Sequence, residues 1–213
     1  MNWPKVVHQI WLGGPLPRDL AALRERHRAA LPGWRFELWT EDRLRPWVSD
    51  RDLWRWVHHC EKPVAYAALS DMARVEIIFR CGGVYMDLDY DLSPGAFDVL
   101  APYDRGFGVR LAPKFDLLCN SLFGGPPGMP ALADCLQLAR ERLHRYGASS
   151  VIRSVGGILM DTRFRARRVP ILPRGVFRAR GDRPLGSPQP RGVHLYHTSW
   201  AKEAAAAASE ASI

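Results

Sequence analysis

Cys81-Gly82-Gly83-Val84-Tyr85-Met86-Asp87-Leu88-Asp89-Tyr90-Asp91 reads as the end of a helix, a two-glycine turn, and a strand that becomes acidic as it finishes. In extended backbone, residues two apart share a face. Asp87, Asp89 and Asp91 are therefore expected on one side, with Val84, Met86 and Leu88 on the other. Three carboxylates on one face repel each other, and those withdrawn from water must pair, take up protons or hold a cation. Divalent ions such as Mg²⁺ and Mn²⁺ take such oxygen ligands, a few from protein and the rest from phosphates and water. The plainer reading is an acidic strand end dissolving into a solvated turn. The apolar run before it and the partners found elsewhere in the chain favour the cation.

Working back from the acidic stretch, Pro63 opens a helix that runs to about Arg80 and that Gly82 closes. Ala65, Ala68, Leu69, Met72, Val75 and Phe79 give it an apolar face. Asp71 and Arg74 are neighbours on its surface at i and i+3, either as an ordinary exposed ion pair or as a pair held near the acidic site. Further back, Lys5 to Leu12 is a short apolar run ending at Gly13-Gly14-Pro15, as a buried strand leading into a loop does. Arg18 to Leu31 has helical spacing and stops at Pro32-Gly33, and Trp34 to Trp39 is a second strand. Strand, helix and strand in that order make a parallel βαβ unit with a right-handed crossover. Ligands of such sheets bind beyond the carboxyl ends of the strands, where Trp11 and Gly13 fall. Neither a dinucleotide fingerprint nor a P-loop is present, and Trp11 stands equally as core filler or as a stacking platform.

Between these elements, Glu41 to Lys62 is a Trp-rich, helical segment in which His58 and His59 read as surface histidines. Working forward from Asp91, strands are expected at Gly106 to Leu111 and at Leu117 to Phe123, and a helix at Pro130 to Arg145. Ser154 to Leu159 is a glycine turn before a short apolar run. Arg163 to Arg191 is Arg- and Pro-rich and is expected to be irregular, ordering over a ligand. Residues 1–200 read as one domain and 201–213 as a frayed, Ala-rich tail.

Hydrophobic residues at 47% and charged residues at 24% are those of an ordinary globular protein. Four scattered cysteines without a Cys-x-x-Cys pair argue against a zinc knuckle or a redox motif. The start lacks the apolar run of a signal peptide, and no stretch approaches the ~20 apolar residues of a membrane span, so a cytoplasmic protein is expected. The net charge is +8, and Arg140 to Arg191 alone carries thirteen arginines against three acids. That imbalance suits an anionic partner such as a nucleotide diphosphate.

Four motifs occur in a telling order: His8-Gln9-Ile10-Trp11-Leu12-Gly13-Gly14, Ser70-Asp71-x-x-Arg74, Gly82 to Asp89, and His194 with Ser199-Trp200. Together they resemble the DXD sugar-binding glycosyltransferases called family 32, with capsular-polysaccharide enzymes and the yeast initiating mannosyltransferase among them. The glucosylating clostridial toxins look like more distant relatives. The resemblance covers Lys5 to about Leu92 well. Beyond that it touches only Asn120, the Gly156-Gly157 turn and His194 to Trp200.

The resemblance implies an α/β, single-domain GT-A fold, a Rossmann-like mixed sheet flanked by helices. It implies a nucleotide-sugar donor, a UDP-sugar before GDP-mannose, with Mn²⁺ or Mg²⁺ as cofactor and a retaining outcome. Trp11 matches the tryptophan that stacks on the base, and Gly13 and Asn120 fall with the donor-binding residues. Asp71 and Arg74 match the pair that holds sugar hydroxyls. Asp87 matches the aspartate that touches ribose and sugar, and Asp89 the metal ligand, while Asp91 is a bystander. His194, six residues before Trp200, takes the place of a further metal or diphosphate contact, with His197 as the alternative. Ser199 and Trp200 match groups on the leaving diphosphate. The chain is short beside many such enzymes, so a soluble acceptor is expected: a small molecule, a peptide or a glycan.

Two other readings compete. A metal-dependent hydrolase or phosphotransferase would use the same carboxylates, but a two-metal site needs further acids that are sparse after Asp91. A basic nucleic-acid-binding protein would interleave aromatics with its arginines, and between Arg163 and Arg191 only Phe164 and Phe177 do so.

Overall fold

A computed structural model describes residues 1–48, 54–55, 62–110, 118–146, 157–180 and 189–195. The expected βαβ unit is present: β1 (Val6–Ile10), α1 (Arg18–Ala30) and β2 (Arg35–Trp39), with the two strands parallel and Val6 opposite Arg35. Buried Leu20, Leu23, His27 and Ala30 recur at helical spacing and seat α1. Of the Trp-rich segment, α2 (Glu41–Leu44) is a single helical turn, and residues 49–53 and 56–61, with His58, His59 and Cys60, lie outside the described residues.

The long helix α3 (Lys62–Cys81) is the spine. Ala65, Ala68, Leu69, Met72, Val75 and Ile78 are all sealed from solvent. Each large apolar side chain so buried contributes about 1.5–3 kcal/mol. The helix ends as the glycines dictate. Gly82 takes φ +66°, a left-handed cap that costs any other residue energy, and its N–H closes on the Ile78 carbonyl at 2.9 Å. Gly83 follows at φ +99°, where a Cβ would meet the Val6 carbonyl oxygen at 2.6 Å. The chain can therefore drop from the helix straight into the sheet beside β1.

That strand is β3 (Gly83–Met86), parallel to β1. With β5 (Phe107–Val109) and β6 (Cys119–Gly125) it completes a sheet of order β2-β1-β3-β6-β5, in which β6 runs antiparallel to both β3 and β5. Both faces are covered, as parallel strands require. Tyr85 and Phe123 face a core with α3, α4 (Pro130–Tyr146) and α5 (Gly157–Ala166). Val84, Met86 and Leu122 face a second core with Trp3, Phe97 and Phe107.

Two expectations need correction. The acidic stretch is not one continuous strand: β3 stops at Met86, Leu88 and Asp89 form a turn, and β4 (Tyr90–Leu92) belongs to a separate three-stranded sheet with Phe177–Ala179 and Gly192–His194. Asp91 therefore leaves the face of Asp87 and lies half-exposed, 3.8 Å from Arg26. The second correction concerns Arg163 to Arg191. Its first residues finish α5, and β7 (Phe177–Ala179) pairs in parallel with β8 (Gly192–His194), which in turn pairs antiparallel with β4. Of the glycine turn expected from Ser154, residues 154–156 lie outside the described residues, and from Gly157 the chain is helical. No helix among the described residues is long and apolar enough to cross a membrane.

Candidate active site

Arg74 is the hub of the site. It projects from the middle of α3 and is only 8% exposed, so its charge and five donors must be met inside the protein. One turn back, Ser70 accepts from Nε through its carbonyl at 3.2 Å and from Nη2 through its hydroxyl at 2.8 Å. Nη1 donates to the Asn120 carbonyl at 3.0 Å. Two carboxylates supply the countercharge, Asp71 at 3.3 Å and Asp87 at 3.4 Å. The Tyr85 ring lies beneath the guanidinium at 4.6 Å, a cation–π contact away from water. The pair at i and i+3 is thus no surface ion pair.

The surrounding residues fix the carboxylates. Asn120 donates its side-chain N–H to Asp71 Oδ1 at 2.8 Å, and the Tyr85 hydroxyl donates to Asp87 Oδ1 at 2.6 Å. Burial pushes the Asp71 carboxyl up to about 6, against the pull of Arg74. Burial likewise raises Asp87, with Arg74 again opposing it and Asp89 adding repulsion. Burial thus makes both carboxylates costly to keep charged, a cost that a further cation would offset.

The second part of the site lies where the two sheets meet. The Asp87 N–H donates to the Ser121 carbonyl at 2.9 Å, so β6 still guides the chain one residue beyond β3. The turn then presents Asp89, and its carbonyl accepts the Leu195 N–H at 2.8 Å. That bond and the β4–β8 register bring His194 in, with Nε2 3.0 Å from Asp89 Oδ1 and 3.7 Å from Asp87 Oδ2. Asp87, Asp89 and His194 each offer a ligand atom, all within 4.8 Å of one another. Two carboxylates and an imidazole form the oxygen-and-nitrogen set that a divalent ion such as Mn²⁺ accepts, and its remaining positions suit phosphate or water.

Trp11 sits at the carboxyl end of β1, partly buried, with its indole N–H shared between the Gly14 and Pro15 carbonyls at 3.1 and 3.2 Å. It stands at the rim of the sheet rather than in the core. Gly13 turns the chain at φ +96°, and its N–H lies 3.4 Å from Glu41. His197, Ser199 and Trp200 lie outside the described residues.

Sequence reasoning gave no role to Ser70, Tyr85 or Ser121, and each carried a readable signal. Ser70 is one helical turn from Arg74, and Tyr85 is two residues from Asp87 on the same strand face. Ser121 follows Asn120 in an apolar strand where a lone hydroxyl needs a partner.

A family model described as "Glycosyltransferase sugar-binding region containing DXD motif" matches residues 17–101, the span that holds Asp71, Arg74, Asp87 and Asp89. An uncharacterized glycosyltransferase of Acanthamoeba polyphaga mimivirus is 26% identical over 155 residues, which cover 72% of this chain and 61% of that protein. Inositol phosphoceramide mannosyltransferase 1 of Schizosaccharomyces pombe is 25% identical over 168 residues, covering 76% of this chain and 51% of its own. The chain thus spans between about half and three fifths of the length of these relatives. Among solved structures, the PaToxG glycosyltransferase superposes with a TM-score of 0.59 at 16% identity, covering 78% of this chain and 70% of its own. That likeness shows the shared GT-A fold.

Proposed function

We propose that this chain, whose residues 17–101 are a DXD sugar-binding region of the glycosyltransferase kind, moves a sugar from a nucleotide-sugar donor to an acceptor hydroxyl. One observation carries the reading: the ligand atoms of Asp87, Asp89 and His194 converge within 4.8 Å, directly beside the buried Arg74. Asp87 links the two halves, 3.4 Å from Arg74 on one side and 3.7 Å from His194 on the other.

In this proposal Asp71 and Arg74 hold the donor sugar through its hydroxyls, with Asn120 fixing the Asp71 carboxylate that accepts from them. Asp87 stands between sugar and ribose, oriented by the Tyr85 hydroxyl. Asp89 and His194 hold Mn²⁺ or Mg²⁺, the mixed oxygen and nitrogen set favouring Mn²⁺. When bound, a divalent ion supplies Lewis-acid stabilisation of the charge that builds on a departing diphosphate. Trp11 offers its ring at the rim as a platform for the base. Among the described residues, the Asp71 and Asp87 carboxylates are engaged by Arg74, Asn120 and Tyr85, which argues against either as a nucleophile. Attack from the leaving-group face, with the departing phosphate as base, therefore suits this site and gives retention. The donor proposed is a UDP-sugar, with GDP-mannose as the comparison, and the acceptor a soluble small molecule, peptide or glycan.

The test is incubation with UDP- and GDP-sugars and Mn²⁺, following nucleoside diphosphate release. Slow hydrolysis of one donor, abolished by EDTA and by Asp89→Ala, is expected. No release or binding of any donor, together with tight salt-sensitive binding to RNA or DNA, overturns it.

A further inference from the structure

We infer that Tyr90 is a positioning residue for the cation site, setting the plane of the His194 imidazole toward Asp89. The inference rests on the proposal that Asp89 and His194 hold a divalent ion.

Strand pairing alone does not aim an imidazole. The β4–β8 register places His194 opposite Tyr90 and fixes its Cα, but the last torsion of a histidine is broad and two-fold. The Tyr90 ring supplies the missing constraint: it lies 4.8 Å from the imidazole, with 25° between the planes. Both side chains are buried, Tyr90 fully and His194 to 6% exposure, so the stack has little room to slide.

Tyr90 is itself held at three points. Its hydroxyl and that of Ser121 share a hydrogen bond of 2.8 Å. Its carbonyl lies 2.6 Å from Nε2 of His27 on α1, and the Phe177 ring meets it edge-on. Ser121 matters twice, because its carbonyl also accepts the Asp87 N–H. One residue of β6 thereby gives Asp87 and, through the Tyr90 phenol, His194 a common reference. Ligands supplied by two sheets need such a reference, and outer contacts of this kind tune metal affinity.

The test is a titration of the full chain with Mn²⁺ alone, free ion being read by electron paramagnetic resonance. Tyr90→Leu removes the aromatic face and is expected to weaken binding about tenfold. Tyr90→Phe keeps the stack and is expected to stay within about threefold of the parent, a rescue that a purely volumetric role would not distinguish. In parallel, the His194 ring protons should resonate upfield under the Tyr90 ring current in the parent and in Tyr90→Phe. They should return toward ordinary values in Tyr90→Leu. If Tyr90→Leu does not fold, Tyr90→Met, a flexible side chain of similar length without a ring, serves: weaker Mn²⁺ binding with the His194 ring protons back toward ordinary values supports the inference, and Mn²⁺ binding like the parent overturns it. A folded Tyr90→Leu that binds Mn²⁺ like the parent overturns the positioning role while leaving the cation site intact. Absence of any Asp89-dependent Mn²⁺ binding in the parent overturns both.

Discussion

The two halves of the site are built in opposite ways. The half proposed to hold the sugar, Asp71, Arg74, Tyr85 and Asp87, comes from one helix and the strand it feeds, and a bonded guanidinium fills its centre. The cation-side half joins a two-residue turn to a strand 105 residues further on, across the junction of two sheets. The first is built mostly within residues 70–87, with Asn120 of β6 completing it; the second exists only once β4 and β8 have paired. A loss confined to one half should therefore leave the other largely intact.

Arg74→Lys is the largest such perturbation. It keeps a charge but loses the fork that engages Ser70, Asn120 and two carboxylates at once, and kcat/KM for the donor is expected to fall about 100-fold. Mn²⁺ affinity should change little, and a parallel loss of both in steady-state and binding measurements would break the separation of the halves.

Next in size is the response to pH. Burial holds the Asp71 carboxyl up at about 6, so if it accepts sugar hydroxyls as proposed, donor affinity should fall by up to about tenfold per pH unit below that value. Asp71→Asn should flatten the profile of donor KM between pH 7 and 5. Stability runs the other way. A raised carboxyl favours the folded state fully below its ordinary 3.8 and loses that contribution as pH rises through about 6. The thermal midpoint of Asp71→Asn relative to the parent should therefore rise from pH 5 to pH 7.

The smallest effect sharpens the same contrast. Tyr85→Phe retains the ring under Arg74 and removes only the bond to Asp87, so a loss of about 1 kcal/mol, or severalfold in kcat/KM, is expected. Because Asp87 touches both halves, this change should register in donor KM and Mn²⁺ affinity together.

The same division explains what the sequence disclosed. The helix from Pro63, its glycine stop and the acidic finish are written in local spacing, and β1, α1 and β2 likewise. The resemblance gives Asp91 no role, and no periodicity marks the sheet change at Leu88-Asp89 that carries it away from Asp87. Strands β4, β7 and β8 have three residues each, too short for alternation to show, and they persist through mutual pairing. The described parts of Arg163 to Arg191 read as irregular because their order is tertiary. Tyr90 was read only as the residue between two acids.

The sheet change has a consequence for thermodynamics as well as geometry. Asp87 continues one sheet, while His194 belongs to the other. A cation gripped by both is a non-covalent cross-link, and its binding free energy adds to the docking of the small sheet onto the large one. Amide protons of β4, β7 and β8 should then exchange more slowly as Mn²⁺ is added, while those of β1 and β3 hardly respond. The small sheet would act as a clasp whose closure is set by the concentration of ion.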